Sequence, residues 1–583
     1  MHRPLPLHVA PAGFRLESRT LGAFPLVNHI LDRLAIPDLL ARVDAHAATR
    51  AGPTPSQCLG VLLRNLVLDR GPVYALAGWG SPVRNDMLGL EPGEADRLND
   101  DRVGRALDHL FDADRASLQT EVVVRMIRTY RLKLDEVHND STTLKLTGAY
   151  AGADGGFKRG KRTVKATRGH SKDHRPDLKQ LLWNLTVTAD GAVPVHYKVY
   201  DGNQNDSPTH RETWDAVRVL KRSADFLYVA DSKASSSDFL RYVDGEGGQF
   251  VVVLPRTRAE DGWFRDHVQA HAVEWTQVWP RREDDGAKGE SPEDAWEGDV
   301  WSALEAPAPS AEGFRVVWLL GHDKAERDRR SRHAMVTRAV DGLKALDKRL
   351  RRPRSKITKR ERIMEAADAI VEGPVGRWVS YEIHQEDAVR FKQEKRGRPG
   401  KDTRYRRLTK AKFRVVPRVD EGAIAYDAKS DGMFPLVTNT KAEEFSLEEV
   451  FDAYKYQPRL EKRHEQLKSV YAVTPVYLKK ITRIEALLFL YFLAMIVQSL
   501  LEREVRRGMR RRGLTSIPLY PEGRACRTPT ADKVLAAFET LQVHRLHKGG
   551  TLEEVFWPEL SGLQRQLLEL AGVSEGPYRD QEA

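Results

Sequence analysis

At 583 residues with 41% hydrophobic side chains, the chain is too long for a single core, and its length suggests about three or four domains. A net charge of +11 and a pI of about 9.3 fit a polyanionic partner. Only two cysteines, Cys58 and Cys526, argue against a disulfide framework and suit a reducing compartment, and the amino-terminal MHRPLPLHVAPAGF lacks the apolar run of a secretory signal.

Residues 1–130 read as predominantly helical, punctuated by Pro and Gly at 51–54, 70–72 and 91–93, with no strong strand run. Residues 137–146, VHNDSTTLKL, are rich in Thr and alternating apolar side chains, which predicts a strand bearing Asp140. A hairpin is predicted next, from 181–188 (LLWNLTVT) through a turn at Asp190 and Gly191 to 193–199 (VPVHYKV). A helix over 209–222 leads into 226–230 (FLYVA), a continuous apolar run that ends directly in Asp231. Three strands, a helix and a strand match an RNase H-like core, in which the first strand and a later parallel strand lie side by side. Their aspartates would then face the same metal ions.

After a further strand at 250–255 (FVVVLP), residues 258–440 form a large insertion of mainly strand character. It holds an acidic loop at 283–299, strand-like segments at 314–320, 378–383, 413–419 and 432–438, and a basic helical span over 324–372. The apolar stretch 486–497 (ALLFLYFLAMIV) is 12 residues long and predicts a buried core helix, because a membrane span needs about 20 residues. Residues 511–583 read as a carboxy-terminal helical region.

The segment 454–468, YKYQPRLEKRHEQLK, sets Tyr454, Glu461 and Lys468 seven residues apart. At 3.6 residues per turn that spacing predicts one helical stripe carrying a ring, a carboxylate and an ammonium, which suits a phosphate and a metal ion. Glu461 is the candidate third acid; Glu465 shares its face on geometry alone. Asp206 ends a loop and fits a supporting or solvated role. His170, Asp173 and His174 imitate a metal cluster, but no paired Cys or second His pair completes a zinc set. Ser141, Ser232 and the serines at 235–237 lack an associated base, which argues against a serine nucleophile.

The chain resembles bacterial insertion-sequence transposases of the DDE type, in the insertion-sequence-four superfamily and its sixteen-thirty-four branch. That family carries Tyr, two residues, Arg, three residues, Glu, six residues, Lys; here the positions are Tyr454, Gln457, Glu461 and Lys468, with Gln in place of Arg. Further resemblance lies in RGHSKDHRPDLKQ (168–180), DGNQND (201–206), VADSKASS (229–236), KRGRPGKD (395–402), LGAFPLVNHILDRL (21–34) and DDRVGRALDHL (100–110).

The resemblance implies an α/β chain: a helical amino-terminal accessory or DNA-binding domain (1–130), an RNase H-like mixed-sheet core in two parts (131–257 and 441–510), and the insertion (258–440) between the second Asp and the Glu. Asp140, Asp231 and Glu461 would hold two Mg²⁺ or Mn²⁺ ions for cut-and-paste transposition. Tyr454, Gln457, Arg459, Lys468, Lys172, Arg175, Arg396 and Arg398 would contact DNA, with Gln457 bringing a hydrogen bond but no charge. Expected partners are terminal inverted repeats and target DNA, bound by a homodimer in a bacterial, nucleoid-associated cytoplasmic setting and not at a membrane. The alternative is a catalytically reduced DNA-binding protein or nuclease on the same scaffold; an RNA-cleaving enzyme would need no insertion of this size.

Basic residues concentrate in four runs. Residues 344–362 and 392–412 each hold ten against two acids, 158–168 six against none, and 503–512 six against one. Four separate runs suggest a long DNA path. The tryptophans of the insertion, at 263, 275, 279, 296, 301 and 318, offer a ring for a flipped base, although most read as core.

Overall fold

A computed structural model describes residues 13–46, 51–169, 175–278, 300–352, 357, 359–470, 478–520 and 522–579, without the side chains of 46, 469 and 470. The amino-terminal segment opens with a strand, β1 (Phe14–Thr20), where no strand was expected. It pairs antiparallel with β13 (Gln542–Lys548), which in turn pairs with β14 (Thr551–Phe556), so the carboxy-terminal region is not purely helical either. Partners more than 500 residues apart leave no local signal.

Helices α1 (Phe24–Arg33), α2 (Pro55–Leu68), α3 (Asp100–Asp112) and α4 (Arg115–Tyr130) follow β1. The punctuation before α2 is a capping box: Thr54 and Gln57 exchange side-chain to backbone hydrogen bonds, and Pro55 takes the first helical position, where no amide donor is needed. Asn99 and Asp114 cap α3 and α4 by accepting from the Arg102 and Ser117 amides, without the reciprocal bond.

Nine strands build the central sheet. They are β2 (Glu136–Leu146), β3 (Lys179–Thr188), β4 (Pro194–Tyr200), β5 (Leu227–Ala230), β6 (Gln249–Val253), β7 (Thr276–Val278), β8 (Trp301–Glu305), β9 (Arg315–Gly321) and β12 (Met433–Thr438), in the order β4-β3-β2-β5-β6-β12-β9-β8-β7. The β2–β5 and β5–β6 pairs are parallel; the other pairs are antiparallel. The first strand and the later Asp-bearing strand therefore lie side by side, as the RNase H-like expectation required. β3 is buried from Gln180 to Thr188 on both faces, and its polar side chains Gln180, Asn184, Thr186 and Thr188 are buried along with its apolar ones.

The insertion departs from its expected mainly strand character. Strands β7, β8, β9 and β12 extend the core sheet beyond β6 instead of forming a separate sheet. The remainder is substantially helical: α7 (His322–Leu350) and α8 (Arg360–Val371) make a small core of their own with the base of a long hairpin, β10 (Val379–Gln393) and β11 (Tyr405–Val419). Trp301 and Trp318 are core residues of the extended sheet, Trp275 is half-buried, Trp263 is exposed, and Trp279 and Trp296 lie outside the described residues.

The apolar stretch belongs to α11 (Ile481–Arg511), which is long and apolar enough to span a membrane by length and composition. Here 94% of its apolar window is buried inside the protein, against α2, α3, β4 and α12 (Gly562–Ala571). Leu488, Phe489, Phe492, Leu493 and Ile496 are at most 1% exposed. At about 1.5–3 kcal/mol for each large side chain removed from water, this helix ties the amino-terminal helices and the sheet into one continuous core.

Candidate active site

The ladder between β2 and β5 sets the geometry of the two aspartates. His138 pairs with Val229 and Asn139 with Ala230; Asp140 is the next residue of β2, and Asp231 is the first residue beyond β5. Adjacent strands run about 4.8 Å apart, so the backbones of the two aspartates start from neighbouring positions on the sheet. Buried Asn139 donates to Asn184 Oδ1 (2.7 Å) and Thr186 Oγ1 (2.9 Å), which fixes this level of the sheet.

Each aspartate is held by a backbone amide and backed by a buried histidine. Asp140 Oδ1 accepts from Ser141 N–H (2.7 Å), and its Oδ2 lies 3.6 Å from His464 Nε2. Asp231 Oδ1 accepts from Lys233 N–H (3.0 Å), capping the turn Ser232–Ala234, and lies 4.0 Å from His210 Nε2. The other ring nitrogen of His210 is 3.0 Å from the Tyr228 hydroxyl. Ser141 also donates to Asp206 Oδ2 (2.8 Å), so Asp206 supports this corner through the hydroxyl.

Glu461 arrives on a helix that the sequence spacing misdrew. The segment 454–468 is not one helix: α9 (Leu447–Lys455) ends before Tyr456, and α10 (Gln457–Glu465) restarts with Pro458 in its first turn. Pro458 has no amide to return to the Tyr454 carbonyl, so the ladder breaks there. The chain then passes into a π-helical turn, Gln466–Val470, that carries half-buried Lys468. The expected single stripe is therefore corrected, and Tyr454 packs in the core with its ring 5.1 Å from Phe434. It keeps electrostatic contact with Glu461, whose charge adds to burial in raising the tyrosine pKa.

α10 is locked onto the sheet by Arg463. This buried guanidinium pairs with Glu502 of α11 (2.8 Å) and donates to the Ala192 carbonyl (3.1 Å) in the β3–β4 turn, where Gly191 needs its positive φ of 90°. Tyr456 completes the seat: its hydroxyl accepts from Ala192 N–H (2.8 Å) and its ring stacks on His138 at 4.7 Å. So held, Glu461 stands close enough to Asp140 to feel its charge. Partial burial, and then the Asp140 carboxylate, raise the Glu461 pKa above the ordinary glutamate value. Glu465 is exposed at the end of α10.

A raised carboxyl pKa binds its proton more tightly in the folded state, so Glu461 opposes folding increasingly as pH rises from the ordinary glutamate range through its folded value. Glu461→Gln is expected to raise the melting temperature at about pH 7 without divalent ions, with the gain disappearing below about pH 4. Thermal unfolding of both proteins across that range checks it; equal melting curves at every pH would remove the like-charge repulsion.

The expected DNA contacts are dispersed. Gln457 opens α10 half-buried, with Nε2 enclosed and lacking a partner. Arg459 lies over the Tyr456 ring (4.7 Å), and burial, followed by the charges of Arg506, Arg463 and Arg510, lowers its pKa to about 10. Arg175 is exposed and paired with Asp177 (2.7 Å). Arg396 and Arg398 sit at the exposed tip of the β10–β11 hairpin, far along the chain from the acids. Lys172, with His170, Asp173 and His174, lies outside the described residues.

Single cations of two basic runs are engaged by the protein itself, while Arg159, Arg162, Lys165, Arg168 and Arg510, Arg511 and Arg512 of the same runs stay exposed. Lys161 donates to the Phe111 (3.1 Å) and Asp112 (2.7 Å) carbonyls at the end of α3. Arg503 is 3% exposed and binds Asp190 (2.9 Å).

Sequence reasoning missed His464, His210 and Arg463. Only His464, three residues beyond Glu461 and so on its side of a helix, carried a usable signal. The DGNQND motif owes its glycine to packing: Gly202 donates to the Lys165 carbonyl (3.0 Å) and accepts from Gln180 Nε2 (2.7 Å), and a Cβ there would strike the Gln180 and Thr167 carbonyl oxygens. Gly202→Val is expected to cost about 1–3 kcal/mol and to displace Asp206 from Ser141. Urea unfolding measures the loss, and an unchanged midpoint would refute the close approach.

The donor chemistry of Asp140, Asp231 and Glu461 fits a hard divalent cation: the ligands are all oxygen, and Asp140 and Glu461 repel each other until a cation compensates them. Yet among the described residues no three His, Cys, Asp or Glu stand within one coordination sphere. The structure brings together Asp140 with Glu461 and His464, and Asp231 with His210, but not a closed triad.

No protein-family model matches the chain, and no curated protein matches its sequence. Among solved structures it is similar to a piggyBac transposase synaptic complex with hairpin DNA, at 10% identity and a TM-score of 0.26, over 51% of this chain and 60% of that one. It is similar also to the Mos1 transposase paired-end complex with left transposon end (10% identity, TM-score 0.14, 39% and 67% covered) and to the Mos1 mariner paired end complex with Mn (9%, 0.13, 42% and 72%). These structural neighbours are transposases, and the chain spans less than two thirds of the piggyBac chain. Likenesses this weak assign neither mechanism nor partner.

Proposed function

We propose that the chain is a metal-dependent DNA transposase of the DDE type, cutting at the ends of an insertion sequence and joining the freed 3′ ends to target DNA. The observation that carries this reading is the neighbouring placement of Asp140, within β2, and Asp231, directly after the adjacent parallel strand β5, with α10 bringing Glu461 within electrostatic reach of Asp140. Asp140, Asp231 and Glu461 would hold Mg²⁺ or Mn²⁺. Two such ions, when bound, activate the attacking water or 3′-hydroxyl and neutralise charge on the departing oxygen. The amide bonds to Asp140 and Asp231 limit the rotation of those carboxylates, and the Arg463 seat fixes the approach of Glu461. Lys468, Gln457 and Arg459 would position the phosphate backbone without reading sequence.

A second reading, a catalytically reduced DNA-binding protein or simple nuclease on this scaffold, draws on one observation: among the described residues no three His, Cys, Asp or Glu stand within one coordination sphere. Inverted repeats, sought in the DNA flanking the gene, would supply the substrate for a test. Purified protein with a supercoiled plasmid bearing those ends is expected to cut at them and join them elsewhere in Mg²⁺ or Mn²⁺. Nicking without joining would favour the second reading, and no cleavage with either ion would end the enzymatic one.

A further inference from the structure

The β10–β11 hairpin pairs without interruption over fifteen residues per strand, about 50 Å at about 3.3 Å per residue. Only its base joins a core: Val379 and Val415 are buried with α7 and α8, whereas from Glu386 to Lys412 every residue is exposed or half-buried. A two-stranded ribbon with neither face covered is marginal in water, so its length calls for a partner lying along it.

Charge names the kind of partner. Residues 390–414 hold twelve Lys and Arg against Glu394 and Asp402. Arg159, Lys161 and Arg503 of the other runs have partners within the protein, whereas among the described residues none of Arg390, Lys392, Arg396, Arg398, Arg406 and Arg407 forms an ion pair. The register divides the ribbon into two faces. Lys392 stands opposite Arg406, with Arg390 and Lys410 on the same face; Phe391 stands opposite Arg407, with Val389 and Tyr405 beside them. Phe391 is 63% and Tyr405 51% exposed, an unusual outlay for a solvated face.

At the tip, Arg396 and Arg398 flank Gly397, whose φ of 155° lies where side chains are disfavoured, and Pro399 follows. Gln393 Nε2 donates to the Gly397 carbonyl (3.2 Å), and Gly400 N–H donates to Thr403 Oγ1 (2.7 Å), which shapes the turn. Two guanidinium groups separated by a residue without a side chain make a narrow cationic wedge. A duplex fits both parts: its major groove admits a two-stranded ribbon, and its minor groove, narrow and strongly negative in A·T tracts, attracts inserted arginine.

We propose that the β10–β11 hairpin is an arm that grips duplex DNA away from the catalytic acids, with the Arg396-Gly397-Arg398 tip seated in the minor groove of an A·T-rich tract. This rests on the transposase reading only in its choice of duplex DNA; no chemistry at Asp140 is required.

Fluorescence anisotropy of the full chain on short A·T-rich and G·C-rich duplexes tests it, at about 50 to 200 mM salt. The double variant R396A/R398A is expected to lose about 10- to 100-fold in affinity for the A·T duplex and only a few-fold for the G·C duplex, with an unchanged melting temperature. Distamycin, which occupies the minor groove, is expected to weaken the wild-type protein on the A·T duplex and not the variant. Lys392→Glu with Arg406→Glu is expected to weaken both duplexes alike and flatten the salt dependence. Equal loss on both duplexes by the tip variant, or none, overturns the seating of the tip. Tighter binding to single-stranded RNA, or sedimentation showing that the variant loses self-association in place of DNA affinity, overturns the arm. An A·T preference in a protein that never cleaves would leave the arm standing while the transposase reading falls; normal cleavage and normal binding by the tip variant would do the reverse.

Discussion

Asp140→Asn is expected to retain duplex binding while lowering end cleavage by at least about a hundredfold, the cost of losing several kcal/mol of charge stabilisation in the transition state. The substitution is nearly isosteric. It keeps an oxygen for the Ser141 amide (2.7 Å) and leaves β2 paired on both edges, so the fold has no reason to change. What disappears is the charge at the position that neighbours Asp231 and lies within electrostatic reach of Glu461. On the proposed reading, binding would rest on basic surfaces elsewhere and so survive. Gel-shift and plasmid-cleavage assays run on the same preparation separate the two effects. Cleavage at the wild-type rate would remove Asp140 from the mechanism.

Arg463→Ala is expected to destabilise the protein by about 3–5 kcal/mol, because it strands a buried carboxylate. Arg463 is 6% and Glu502 7% exposed, and their contact at 2.8 Å joins α10 to α11. Burial alone would raise the Glu502 pKa, but the charges of Arg463 and Arg506 and the hydrogen bonds from Ala531 N–H and Arg463 hold it below the ordinary value. A depressed carboxylate contributes stability that is present above the unfolded glutamate pKa and lost as pH falls through the folded one. The difference between wild type and variant is therefore expected to be full at neutral pH and to shrink on acidification.

Replacing the pair together, Arg463→Met with Glu502→Leu, is expected to cost much less than Arg463→Ala, since no buried charge is left alone. Denaturant unfolding of the three proteins provides the comparison, and a loss under about 1 kcal/mol for the single variant would show that water reaches the site. Arg463 also donates to the turn at Ala192, so its removal frees the helix bearing Glu461; lost cleavage is the second expected effect.

What the sequence determined by itself was the part written in local periodicity: the strand of Asp140, the hairpin after it, the helix 209–222, the apolar strand ending in Asp231 and the apolar core of α11. Each is a run whose side-chain period or turn residues fix the backbone within a few neighbours, so the order of elements and the positions of two aspartates were legible. The break between Tyr454 and Glu461 was written there too, in Pro458, but the seven-residue spacing masked it.

Only the tertiary structure decided the rest. Four strands of the insertion join the core sheet because β6 offers an unpaired edge that β12 can cover, and an edge has no sequence signature on the strand that fills it. β1 finds β13 across more than 500 residues for the same reason. The basic runs looked alike as sequence, yet Lys161 caps a helix, Arg503 neutralises Asp190, and the cations of the hairpin remain outward. Charge is a property of a residue; whether another part of the chain compensates it depends on which surfaces fold together.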